Sequence, residues 1–221
     1  MKLIKVTAIT GAALVLAACQ SSPEMTPDGK ILLTEVGPPE TPMEPMQVPK
    51  MAKAGEKSTW YRKGEERVTE VTKIDEGSIT LLNSAGCQYT DPVTPNNLHN
   101  LSPSLTWENC TGGSSGHAKV TIDGELFPVE LGKTVVYTVK GTSTAGNWTG
   151  DWSDRRVCKV SDQMHIQTLS GEYDTWKIEC KDKKNKRTFY VSPELGHVVA
   201  FKRKHADDRS RSYTSVFLHE G

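Results

Sequence analysis

The chain has 221 residues, 36% of them hydrophobic and 24% charged, and its 27 basic and 27 acidic side chains balance to a formal net charge of zero. Such a balance supplies no long-range field of one sign, so nothing in it points to nucleic acid or to an acidic polymer surface as partner. The length suits one domain once segments that cannot fold are set aside.

The first element is a short basic region with Lys2 and Lys5, followed by an apolar run over residues 6–18 broken only by Thr7, Thr10 and Gly11. That is the layout of a secretory signal. It is shorter than the roughly 20 apolar residues that a membrane span requires. Leu16, Ala17, Ala18 and Cys19 close it as L-A-A-C, which resembles the lipobox of bacterial lipoproteins. The resemblance implies cleavage before Cys19, diacylation of its thiol and acylation of the new amino terminus. The membrane is then a partner through lipid. One acyl chain holds a protein only marginally, whereas several hold it essentially permanently. Gln20 follows the cysteine, and the resemblance implies that the absence of aspartate there favours the outer membrane, facing the periplasm or the cell surface.

Residues 19–55 come next and contain Pro23, Pro27, Pro38, Pro39, Pro42, Pro45 and Pro49 with little aromatic or β-branched pattern. Such a stretch cannot offset its ordering entropy, and it reads as a disordered tether between lipid and domain, reaching about 100 Å if fully extended. Residues 30–36 alone have strand character. Met25, Met43, Met46 and Met51 also lie here. Thioethers suit Cu(I), but no histidine or cysteine accompanies them, so the spacer reading stands and no cofactor is expected.

From residue 56 to 221 the pattern changes to short β-like segments broken by turn residues about every ten positions, the mark of a mainly β fold. It predicts a curved antiparallel sheet, a sandwich or a half-open barrel in one disulfide-stapled domain. Residues 68–74 and 78–82 flank a Asp75-Glu76-Gly77 turn, and residues 119–122 and 125–129 flank Asp123-Gly124, a pair suited to positive φ. Val135, Tyr137 and Val139 alternate to one face, as do Trp176, Ile178 and Cys180. Further strands are expected at 187–191, 198–204 and 213–218, with no sustained helical period. The W-x-I-x-C run and the following residues 187–199 resemble uncharacterised exported bacterial β domains, which implies no particular activity.

Cys87, Cys110, Cys158 and Cys180 lie in a chain addressed to an oxidising compartment, so two disulfides are expected. The sequential pairing, Cys87 with Cys110 and Cys158 with Cys180, closes two loops of similar length. Each should contribute about 3 kcal/mol in the chain-entropy account. No C-x-x-C and no histidine at ligand spacing suggests zinc.

Catalytic signals are weak. Gly112, Gly113, Ser114, Ser115 and Gly116 match G-x-S-x-G and are followed by His117, but a nucleophile elbow needs a strand before it and a helix after it. Here a strand-like segment follows, and a flexible loop is the simpler reading. His99, His117, His165, His197, His205 and His219 never form H-x-H or H-x-x-x-H. Basic runs at 181–187 and 202–205 could meet in one patch for an anionic polymer or lipid headgroup, although 181–187 reads more simply as a charged hairpin tip protecting a sheet edge. Trp148 and Trp152 stand in a glycine-rich stretch, 146–154, without strand pattern. They are candidate contacts for a ligand or partner, or plugs at one end of the sheet. The expected function is a non-enzymatic binding or assembly module of the envelope, with a protein or glycan partner. The alternatives are a carrier of a small apolar ligand in a half-open barrel and, third, a hydrolase of envelope polymers.

Overall fold

The computed structural model describes residues 22–47, 49–95 and 98–221, so the signal segment and Cys19 lie outside the described residues. Fourteen strands follow one another: β1 (Glu24–Met25), β2 (Ile31–Gly37), β3 (Lys57–Arg62), β4 (Glu65–Asp75), β5 (Ser78–Asn83), β6 (Gln88–Pro92), β7 (Thr106–Cys110), β8 (Ser114–Asp123), β9 (Thr134–Ala145), β10 (Trp148–Thr168), β11 (Gly171–Lys181), β12 (Asn185–Ser192), β13 (His197–His205) and β14 (Tyr213–Glu220). Among the described residues the only helical elements are the 3-10 turns His99–Leu101 and Arg209–Arg211. From β3 onward each strand pairs antiparallel with the next, and β14 pairs back onto β3, which closes an up-and-down barrel. Closure satisfies sheet edges that an open sheet would expose.

Alternation drives the wall. In β9, Val135, Tyr137 and Val139 are buried while Thr134, Thr138 and Lys140 face water. Glu66, Lys119, Arg155 and Lys159 are likewise exposed on other strands. A lipid-facing belt would be apolar, so this wall is built for water. Inward side chains of β9 to β12, among them Tyr137, Val160, Trp176, Ile178 and Phe189, fill one side of the barrel. Cys158 and Cys180 sit directly opposite each other across β10 and β11, fully buried and bonded. The second disulfide joins Cys87 to Cys110 at the β6 and β7 ends.

Because the strands alternate in direction, the turns at 63–64, 182–184 and 206–212 share one end of the barrel and those at 76–77, 124–133 and 193–196 share the other. The second end is closed from within. Leu98 and Leu101 enter the core from the loop 93–105, and Leu126, Phe127 and Val129 enter it from the loop 124–133.

The structure departs from the sequence pattern in three segments. Residues 125–129 are not a strand: β8 pairs with β9, and Leu126, Phe127 and Val129 are buried almost consecutively, which alternation to a solvent face would forbid. Residues 148–154 are strand, the start of β10 paired with β9. The glycines there do not break it because tryptophan rings cover them: a Cβ on Gly150 would lie 2.3 Å from the Trp148 ring, and one on Gly116 would lie 2.3 Å from the Trp107 ring. Aromatic cover of this kind supplies the packing that glycine lacks in a sheet.

Nor are residues 22–55 a free tether. β2 pairs with β10 over residues 33–37, extending the edge that β9 occupies further along the same strand. Its Leu32 and Leu33 bury against Ile166, Tyr190, Val199, Ala200 and Val216 on the barrel's outside. The proline-rich remainder forms a strap: the Gln163 side chain holds the Met43 backbone through two 3.0 Å bonds, Met46 and Val129 exchange backbone bonds of 3.2 and 2.8 Å, and the Lys50 amide donates to the Gly196 carbonyl at 2.9 Å. Proline excludes regular strand but leaves isolated amides able to bond, and apolar Met46 enters the core.

Candidate functional site

The side of the barrel formed by β3 to β6 and β12 to β14 is not filled. It holds a cavity of about 400 Å³. Strand parity decides its lining: Ser58, Trp60 and Arg62 of β3, Arg67, Thr69 and Val71 of β4, and Tyr213, Ser215 and Phe217 of β14 all point inward.

One wall is aromatic. Trp60 lies edge-on to Phe201 (centroids 6.2 Å) and Phe217 (5.7 Å), Phe201 stacks on Phe189 at 5.7 Å, and Tyr213 meets Phe201 at 5.5 Å. Val71, Ile79 and Leu81 continue the apolar lining.

The rest is charged, and the two ends differ. At the strap end Lys50 pairs with Glu220 and lies 3.7 Å from Glu56, while His197 Nε2 is 3.3 Å from Glu220, so that cluster is internally compensated. Burial and the nearby His197 bring the His99 imidazole down to about 4, which keeps it neutral at pH 7. Toward the other end stand four guanidinium groups. Arg62 lies over the Tyr213 ring, 4.8 Å from its centroid, a cation–π contact. Arg67 donates to Glu65 at 3.0 Å and keeps one third of its side chain exposed. Arg156 donates from Nη1 to the Leu101 carbonyl at 2.7 Å, which ties the loop 93–105 to β10. Arg187 pairs with Asp182, and Arg156 Nε lies 3.8 Å from the same carboxylate. Burial would raise Asp182, but hydrogen bonds from Arg187 and Asn185 outweigh it and hold the group at about 2.

Asp91 of β6 is the remaining carboxylate of the lining. It is only 4% exposed. Burial pushes its carboxyl up to about 7, against the lowering effects of a Ser104 hydrogen bond and the Arg156 charge. Three buried polar atoms of this lining, Asp91 Oδ1, Arg67 Nε and Arg156 Nε, have no hydrogen-bond partner among the described residues. Such atoms normally find one.

A stability consequence follows for Asp91. A carboxyl raised in the folded state favours folding fully below its unfolded value near 4, and that contribution is lost as pH rises through 7. Asp91→Asn should therefore stabilise the barrel at pH 8 by on the order of 2–4 kcal/mol, with little difference at pH 4. Urea unfolding at the two pH values checks this; equal stabilisation at both would show that the ionised carboxylate is not what costs stability.

The residues singled out in the sequence fall elsewhere. Trp152 turns inward, donates to Ser143 Oγ at 2.7 Å and meets Trp107 at 6.0 Å, while Trp148 is 58% exposed at the tip of the β9–β10 hairpin. Neither lines the cavity. The G-x-S-x-G residues form the β7–β8 turn and the start of β8, where Ser115 Oγ accepts from the Asn109 amide at 3.3 Å. There is no strand-to-helix elbow there. The two basic runs do meet, as β12 and β13 place Lys186 beside Lys204. They are compensated: Lys186 bonds Glu179 at 2.9 Å, Lys184 pairs with Asp207, and Lys202 bonds Glu24 at 3.0 Å. Arg62, Arg67, Asp91 and Arg156 were missed as cavity residues. Only Arg156 carried a readable signal, because it shares parity with Cys158 and Val160. In β4 the outward residues include Val68 and the inward ones Arg67 and Thr69, so polarity gives the wrong face.

No protein-family model matches the chain, and no curated protein matches it. Solved structures similar in form include two bacterial proteins. The hypothetical lipoprotein YmcC from Escherichia coli K12 aligns with 10% identity and a TM-score of 0.45 over 76% of this chain and 89% of its own. A Bacteroides fragilis protein described as exported, with a YmcC-like fold, aligns with 10% identity and a TM-score of 0.37 over 80% and 99%. Closure of the barrel is shown by this chain's own strand pairing.

Proposed function

We propose that the protein is a lipid-anchored lipoprotein of the cell envelope whose barrel is a non-enzymatic binding module, holding a small ligand in its lumen. The observation that carries this reading is an amphipathic cavity inside an otherwise well-filled barrel, lined by buried polar atoms that lack partners. Ligand sites combine an apolar surround with a few convergent polar groups. The ligand is amphipathic rather than purely apolar, because four arginines and an aspartate share the lining with the aromatics. Protein purified from envelope in mild detergent should carry a small molecule visible by native mass spectrometry and lost on denaturation. A mass equal to the acylated polypeptide alone, with no response to added amphiphiles, would count against it.

The anchor is tested separately. Cys19→Ser should abolish lipid attachment and lipoprotein-type cleavage and leave the folded barrel unchanged, since both disulfides use other cysteines. Mass spectrometry of the wild-type amino terminus should find an acylated chain starting at Cys19. An unmodified terminus elsewhere would leave only an ordinary exported protein, without a fixed outer-membrane address.

Assembly is a second reading, favoured by one observation. Along residues 148–156 of β10, the edge facing away from β9 pairs with no strand among the described residues, and exposed Trp148 lies at its tip. A free edge beside an aromatic is a template for strand addition by a protein partner.

A further inference from the structure

The described chain begins at the arginine end of the barrel. Glu24 accepts a hydrogen bond from Thr214, the second residue of β14, and its carboxylate lies 3.0 Å from Lys202. Pro27 stands beside Gly64, where a Cβ would lie 3.8 Å from the proline ring. Gly64 belongs to the β3–β4 turn, immediately after Arg62. Five positions separate Cys19 from Glu24, and five residues reach at most about 18 Å. A lipid on Cys19 therefore holds this end, and not the strap end, close to the bilayer.

The charges at the two ends agree with that orientation. At the strap end the turns between barrel strands carry Glu76, Glu125, Glu130 and Glu194 against Lys133, a net negative charge that an anionic leaflet repels. At the opposite end they carry Lys63, Lys183, Lys184, Arg209 and Arg211 against Asp182, Asp207 and Asp208. Basic groups near a membrane are drawn to anionic headgroups. Inside the cavity, Arg62, Arg67, Arg156 and Arg187 share the lining with Asp91, while Glu65 pairs with Arg67 and Asp182 with Arg187, so cationic charge is in surplus. Apolar surface from Trp60, Phe201 and Phe217 adjoins these groups: Trp60 is the cross-strand partner of Arg67 and meets Phe201 and Phe217 edge-on.

We propose that the arginine end faces the anchoring membrane and that the cavity takes up an anionic amphiphile from it, the acidic group seated among the arginines and the apolar part against Trp60 and its aromatic neighbours. Arg67 Nε and Arg156 Nε supply donors for the acid, and Asp91 Oδ1 meets a hydroxyl or amide of the ligand. This rests on the lipid-anchor and lumen-binding readings above.

The test uses the mature chain with Cys19→Ser and three probes below micelle concentration: dodecyl phosphate, dodecyl maltoside and inorganic phosphate, followed by calorimetry. Dodecyl phosphate should bind at least tenfold more tightly than either of the others, and Arg67→Gln should remove most of that advantage while leaving dodecyl maltoside unchanged. Equal binding of the neutral detergent overturns the anionic assignment and leaves lumen binding standing. No binding of any probe overturns both. Undiminished dodecyl phosphate binding in Arg67→Gln and Arg62→Gln overturns the seat. Orientation is read by hydrogen exchange of the acylated chain in phosphatidylglycerol nanodiscs: the turns at 63–64 and 206–212 should gain protection and those at 76–77 and 193–196 should not. The reverse pattern overturns it.

Discussion

Asp182→Ala should destabilise the barrel by about 3–5 kcal/mol, the usual cost of removing one partner from a buried ion pair. The side chain is 1% exposed and is the shared counter-charge of Arg187 and Arg156, themselves 14% and 13% exposed. Its oxygens also accept from the Lys184 and Asn185 amides at 3.0 and 2.7 Å, which shapes the β11–β12 turn. Removal leaves two guanidinium groups facing each other, and burial with the Arg187 charge already brings Arg156 down to about 10. The sign with pH is set by the depressed carboxyl: its stabilising contribution is present above about 4 and is lost as pH falls through 2. The gap between wild type and variant, measured by denaturant unfolding, should be full at pH 7 and narrow between pH 4 and 2. A variant within 1 kcal/mol of wild type at pH 7 would show that water or rearranged side chains compensate both arginines. Asp182→Asn separates charge from hydrogen bonding, since the amide retains the turn contacts and loses the ion pairs.

The same residues explain how far the sequence could be read. β12, β13 and β14 were legible because Phe189, Val191, Val198 and Val216 sit in short β-rich runs punctuated by Pro193, Gly196 and the 206–212 turn. A sheet wall is a local pattern, and its hydrophobic side declares itself within five residues. Closure is not local. Pairing of β14 with β3 joins residues 215–220 to 58–62, and no window of sequence contains both. The cavity was hidden for a different reason. A lumen lined in part by charged side chains breaks the inside-apolar rule on which the reading depends, so Arg67 and Asp91 look like surface residues. Trp148 and Trp152 misled in the opposite direction, since the glycines beside them looked like a loop although the rings themselves supply the missing packing.

The strap is where composition failed most, and it gives the largest effect expected. A chain that starts at residue 56 should not fold to a stable barrel. Leu33 is fully buried and Leu32 nearly so, and without them Ile166, Tyr190, Ala200 and Val216 lose their cover. Burial of each leucine contributes roughly 1.5–3 kcal/mol. Also lost are Lys177 to Glu35 at 3.0 Å, the Tyr190 hydroxyl bond to Glu35, the β2–β10 ladder and the Met46 bridge to Val129. Together these approach the whole 5–15 kcal/mol that holds an ordinary domain together. The shortened chain is expected to aggregate or to unfold without a cooperative transition, whereas Leu33→Ala in the full mature chain should cost about 2–5 kcal/mol and still fold. Thermal unfolding of the two proteins side by side decides the matter. A shortened chain that melts at the wild-type temperature would restore a free tether, release the barrel from its place near the bilayer, and remove the geometric reason for turning the arginine end toward the membrane.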